Sequence, residues 1–189
     1  MKWHPLQSIP EGWPQWTVCI ALLCLFLWLG GKAGGPRESG RPGVIHLELA
    51  WNQPEAQKIL KIWDAQGVRD KFRDAIYWDF GFILVYPLAL GLACIMVARS
   101  FPISALRGEG FVAILNYALL VAGVLDCIEN VCMLQVLKGS AAAHWPFIAS
   151  LCASIKFILI AGGLMYWLTG ALGWAFSLFK PAGIQTGSH

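Results

Sequence analysis

Four long, almost uncharged apolar runs set the limits on what this chain can fold into. They cover about residues 16–31, 79–98, 111–137 and 147–174. About 20 apolar residues in helical form cross the hydrocarbon core of a bilayer. In lipid a helix satisfies its own backbone polar groups. The bulk numbers agree: 57% of residues are hydrophobic and 13% charged, where a soluble domain has about a quarter charged. The expected fold class is an all-α membrane protein, a four-transmembrane-helix bundle with a short amphipathic interfacial helix in its long first loop. Residues 1–180 form one domain, with 181–189 as a loose tail.

The segments between the runs carry the remaining signals. Pro5, Pro10 and Pro14 break the first residues, so the first span starts near Trp16. A single basic residue, Lys2, before this run is a poor match to a secretory leader, which favours a retained helix. Residues 32–43 are a Gly/Pro/charged linker. Val44–Trp51 alternates apolar and polar residues and is expected as an extended or helical surface segment, since no partner strand is visible. Asn52 and Pro54 mark a helix start. A helix over 54–66 then gathers Ala56, Ile59, Leu60 and Trp63 on one face, for packing on the bundle's end or for lying on headgroups; Gly67 ends it. Residues 69–78 are charged and helical and lead into the second span, where Pro87 interrupts the backbone ladder. In the last span Gly162, Tyr166 and Gly170 have the small-residue spacing of a close packing face.

Charge and cysteine use exclude several classes. The formal net charge of +3, with no basic tract interleaved with aromatics, gives no case for nucleic acid. All six cysteines fall in the apolar runs without a CxxC pair, which argues against disulfides or a structural zinc site. Of ten tryptophans, Trp13, Trp16, Trp51, Trp78, Trp145 and Trp174 lie where apolar runs meet polar flanks, as in an interfacial belt. Lys and Arg are more numerous on the side of the first and third loops, which places both termini outside the cytoplasm.

The anomaly is Leu125–Asn130, where Asp126, Glu129 and Asn130 stand within the third run. Such groups are costly at bilayer depth. The fourth run holds a second one, Lys156. Antiparallel spans about a turn near residue 142 bring Lys156 within about 3 Å of the depth of Asp126 and Glu129. The turn near residue 104 likewise brings Asp79 level with Asn130. Asn116, Leu119, Gly123, Asp126, Asn130 and Met133 share one helical stripe, and Asp79, Phe82 and Tyr86 share another. The expected site is therefore a polar cluster of Asp79, Asp126, Glu129, Asn130 and Lys156 with Tyr86, Asn116 and Ser154 outside it. His46, Glu48 and His144 are placed to complete or cap it.

Three carboxylates against one lysine leave two negative charges. Either a proton is held there or a cation or cationic ligand is bound; one structural ion pair needs only one acid. No catalytic or nucleotide motif is present, and no cofactor is implied. Three classes remain open. In the first, Asp79, Asp126, Glu129, Asn130, Lys156 and Tyr86 bind a cation, a proton or a small polar or lipid ligand between helices, with Asp126, Glu129 and Asn130 as candidate metal ligands. In the second, a membrane enzyme acts on an apolar substrate with Asp126 or Glu129 as acid/base, assisted by His46 or His144. In the third, the chain is a subunit whose charges meet a partner's helix. Four helices without internal repeats are few for a lone transporter, so transport implies a homo-oligomer or a membrane-complex partner.

Overall fold

The computed structural model describes residues 4–36, 40–100, 109–140 and 142–178, and these are helical with no strand among them. The segment 101–108 with Arg107, the side chain of Trp174, Lys2, Lys180 and the tail 181–189 lie outside the described residues. A 3-10 turn over Pro5–Ser8 precedes α1 (Trp13–Ala33), α2 (Val44–Glu48), α3 (Gln53–Ala65), α4 (Arg69–Ser100), α5 (Glu109–Leu137) and α6 (His144–Leu178). Four of these, α1, α4, α5 and α6, are long and apolar enough to cross a membrane. The second starts at Arg69 because its charged first turns continue without a break into the apolar run.

α4, α5 and α6 pack side by side, and α1 lies against α4. The α1–α4 contact is reciprocal. Gly30 faces the Phe82 ring and Gly81 faces Leu29, so each helix offers a backbone surface to the other's large side chain. Phe26 meets Phe82 at 5.0 Å between ring centroids, and Trp28 meets Trp78 edge-on at 5.6 Å. Between α4 and α5, Pro87 and Ile83 seat on Gly123, and the Asn116 side chain presses on Gly91. The close packing point of α6 is Gly163, where a Cβ would come within 3.0 Å of Leu90 and 3.1 Å of Leu119. The expected face therefore shifts by one residue. Gly163, Tyr166 and Gly170 are buried, whereas Gly162 is exposed.

The segment after the linker closes one end of the helices. Asn52 caps α3 by accepting from the Glu55 N–H at 3.0 Å. Gly67, at φ +63°, ends α3 in the left-handed conformation that glycine adopts freely. The Val68 N–H then returns to the Trp63 carbonyl at 2.9 Å, the bond pattern of a glycine-terminated helix. Ala56, Leu60 and Trp63 are buried against Phe72, Cys132, Met133, Val136 and Ala149. The apolar face of this helix packs on the ends of α4, α5 and α6. Arg69 ties the corner: it donates to Asp64 at 2.9 Å and to the Leu137 carbonyl at the end of α5 at 2.5 Å, where a cation complements the helix dipole.

Val44–Trp51 is helical over its first residues, one of the two forms expected, but it is not a surface segment. Val44–Glu48 is a turn of helix, and Leu47, Glu48 and Ala50 are buried rather than at the surface. The alternation misleads because helical geometry turns 47, 48 and 50 inward together while Ile45, His46 and Leu49 stay exposed. Trp51 reverses the chain at φ +47°, a strained value for a bulky residue. Its N–H donates to Ser150 Oγ at 2.8 Å, and this anchors the reversal to α6.

Candidate functional site

The sequence-level cluster is assembled. Lys156 Nζ lies 2.6 Å from Asp126 Oδ1 and 2.8 Å from Glu129 Oε2. Asn130 Nδ2 donates to Asp79 Oδ2 at 2.7 Å, which ties α5 to α4 as the depth matching requires. Glu129 is fully buried, Asn130 is 1% exposed, Asp126 4% and Lys156 5%. Asp79 is half-buried. Tyr86 is buried and turns its hydroxyl toward Asp126 without closing a hydrogen bond.

Glu48 joins from α2, with Oε2 3.8 Å from Lys156 Nζ and its side chain in hydrogen-bond reach of Glu129. Of the three loop residues expected to complete or cap the cluster, Glu48 is the one that enters it. The available signal was an acid embedded in an apolar segment just after the linker. The other outer candidates do not enter. Ser154 donates to the Ser150 carbonyl of its own helix at 2.8 Å, and Asn116 donates to Val112 at 2.8 Å, further along α5. His46 is exposed at the rim, with Nδ1 accepting from the Gly43 N–H at 3.1 Å. His144 is exposed against Trp145. Neither histidine is brought into the acid cluster. For the metal reading, the Lys156 ammonium occupies the point between Asp126 and Glu129 where a cation would sit. Among the described residues no group of three or more His, Cys, Asp or Glu is placed to hold a metal ion.

The cluster lines a cleft. α1 and α6 both contact or flank α4 but stand apart from each other, and between them lies a cavity of about 1200 Å³. Asp79, Asp126, Asn130, Lys156, Glu48 and Tyr86 all reach its wall. Its lining follows α1 from Gly12 to Gly34, a length of about 33 Å at helical rise, which matches the apolar thickness of a bilayer. Phe26, Phe82, Leu90, Ile160 and Leu164 supply apolar wall, and Glu11 and Arg99 stand at the end opposite Glu48. There Arg99 donates to Gln15 Oε1 at 2.5 Å and to the Gln7 carbonyl at 2.9 Å, with Glu11 at 3.7 Å.

Burial pushes the Glu48 carboxyl above the usual glutamate range; Lys156 opposes that rise, and the Asp126 charge adds to it. Because the folded state holds this proton more tightly than the unfolded chain, the resulting stability is fully present below the ordinary glutamate range. It is lost as pH rises through the raised value. The expected result is a fall in folded-state stability with increasing pH above that range, read by thermal unfolding in detergent. Glu48→Gln should flatten the fall, and an unchanged slope in that variant would remove Glu48 as its source.

No protein-family model matches the chain, and neither a curated protein nor a solved structure matches it.

Proposed function

We propose that this is an integral membrane protein, a four-span bundle that binds an elongated apolar ligand between α1 and α6. The acid–lysine cluster engages the ligand's polar end. One observation carries the reading: Asp126, Asn130 and Lys156 are almost wholly buried, yet they line a cleft as long as a bilayer is thick. A cluster that served only to fix helix register would be packed over on all sides. Ligand sites are commonly apolar concavities with a few convergent polar groups, and this cleft has that composition at bilayer depth. The positive-inside excess on the α2–α3 side orients the protein with both termini outside the cytoplasm and the cluster toward the cytoplasmic face.

The test is retention of an alkyl probe by the purified chain. Ala93 is half-buried on the cleft wall, so Ala93→Trp should fill the cleft without touching the cluster. The wild type is expected to bind a fluorescent long-chain amphiphile at least about tenfold more tightly than Ala93→Trp, a difference of about 1.4 kcal/mol. Far-ultraviolet circular dichroism should be the same for both. Equal binding by the two proteins, with helicity intact, removes the cleft as the site.

A further inference from the structure

We infer that the polar end of the ligand is a protonated amine carrying N–H donors, on a long alkyl or alkyl-like chain. The inference rests on the cleft reading above and adds the headgroup's chemistry and direction.

The cluster is short of donors and of positive charge. An ammonium has three protons to give and an amide two. Lys156 directs its protons at Asp126, Glu129 and, at 3.8 Å, Glu48. Asn130 gives one to Asp79. On the acceptor side, Glu129 Oε1, Glu48 Oε2 and Asn130 Oδ1 are buried without a hydrogen-bond partner. Asn130, 1% exposed, is on the cleft wall, so its unmet acceptor belongs to the cavity's chemistry. Unmet buried acceptors call for donors.

The charge count points the same way. Among the described residues Asp79, Asp126, Glu129 and Glu48 face a single Lys156, a formal excess of three negative charges. One proton placed between Glu48 and Glu129 would still leave two. Buried charge without a countercharge is expensive. An anionic or merely acceptor-bearing headgroup makes that worse. A bare proton removes charge but gives no role to the apolar cleft of about 1200 Å³ beside the cluster. A chain with an ammonium at its end meets both needs. Direction follows from the far end, where Arg99 stands: the cationic head goes to the α2 side and the tail runs toward Arg99.

The experiment uses the full chain in neutral detergent with four amphiphiles of equal chain length. These are dodecylammonium, dodecyltrimethylammonium, dodecanol and dodecanoate, each competing with the fluorescent alkyl probe. Dodecylammonium is expected to compete at least about tenfold better than dodecanol, since charge-assisted hydrogen bonds are about twice as strong as neutral ones. The trimethylated ion, with charge but no N–H, should lose most of that advantage. Asp79→Asn keeps an acceptor for Asn130 and removes one charge, so it should fold normally and narrow the ammonium preference severalfold; Glu48→Gln should act likewise. Equal competition by the alcohol overturns the ammonium inference while leaving the cleft reading standing. Equal competition by the trimethylated ion overturns the N–H part. Preference for dodecanoate that is lost in Arg99→Gln overturns the assigned direction. If none of the four competes and the probe itself does not bind, the cleft reading fails with it.

Discussion

Lys156→Met is expected to lower folded-state stability by about 3–5 kcal/mol, the usual cost of stranding the partner of a buried ion pair. Methionine matches the stem of lysine in length, so packing changes little and electrostatics decides. Without the ammonium, Asp126 and Glu129 lose the cation at 2.6 and 2.8 Å and stand as buried carboxylates with no countercharge. Adding Asp126→Asn and Glu129→Gln to Lys156→Met should recover most of the loss, because neutral amides of the same shape end the repulsion. Urea or thermal unfolding in detergent reads both steps. A loss under about 1 kcal/mol for the single substitution would mean the carboxylates are held neutral by protons and owe little to Lys156. The triple variant also separates stability from binding. If the cluster is a headgroup site, that variant should be folded and keep only the part of the ammonium preference that Asp79 and Glu48 supply from the cleft wall.

The triad was legible because a helix converts residue number into depth and facing. Asp126, Glu129 and Lys156 were placed level by counting from a turn, and the observed pairs hold that register: Asp126 with Lys156, Leu119 with Gly163, and Asp79 with Asn130. What misled was every judgement in which one residue of offset changes the face. Gly162 and Gly163 are neighbours in the sequence, but only Gly163 meets Leu90 and Leu119, and composition cannot say which of two adjacent glycines points inward. Glu48, expected to complete or cap the cluster, had its depth hidden for a different reason. Its alternating segment has no intrinsic depth, and its burial is imposed from outside by Trp51 on Ser150 and by Leu47 in the end cluster. The cleft was not legible at all. It exists because α1 packs on α4 and leaves α6 uncovered, and an apolar helix face reads the same whether it meets lipid, a neighbour or a cavity.

That hidden dependence gives the second large expectation, because the cap that carries Glu48 hangs on one side chain. Trp63 is fully buried, stacks on Phe72 at 3.9 Å between ring centroids, and donates from Nε1 to the Pro42 carbonyl at 2.7 Å. Pro42 lies just before α2, so this bond fixes where the chain enters the helix that holds Glu48. The cap itself, residues 42–68, lies outside the span-length segments and packs on the ends of α4, α5 and α6, so its burial there is treated as that of a soluble core. Trp63→Ala should therefore cost about 3–5 kcal/mol. It should also release Glu48 from Lys156, so the high-pH loss of stability assigned to Glu48 should shrink together with the total. Trp63→Phe keeps the stack and deletes only the Nε1 donor, leaving the Pro42 carbonyl short of a partner at a cost of about 1–3 kcal/mol. If Trp63→Ala lowers stability while the pH slope stays as in the wild type, the cap and the cluster are independent, and α2 is held in place by Leu47 and Ser150 alone. If both change together, the first loop is a working wall of the cleft, and Glu48 completes the site rather than capping it.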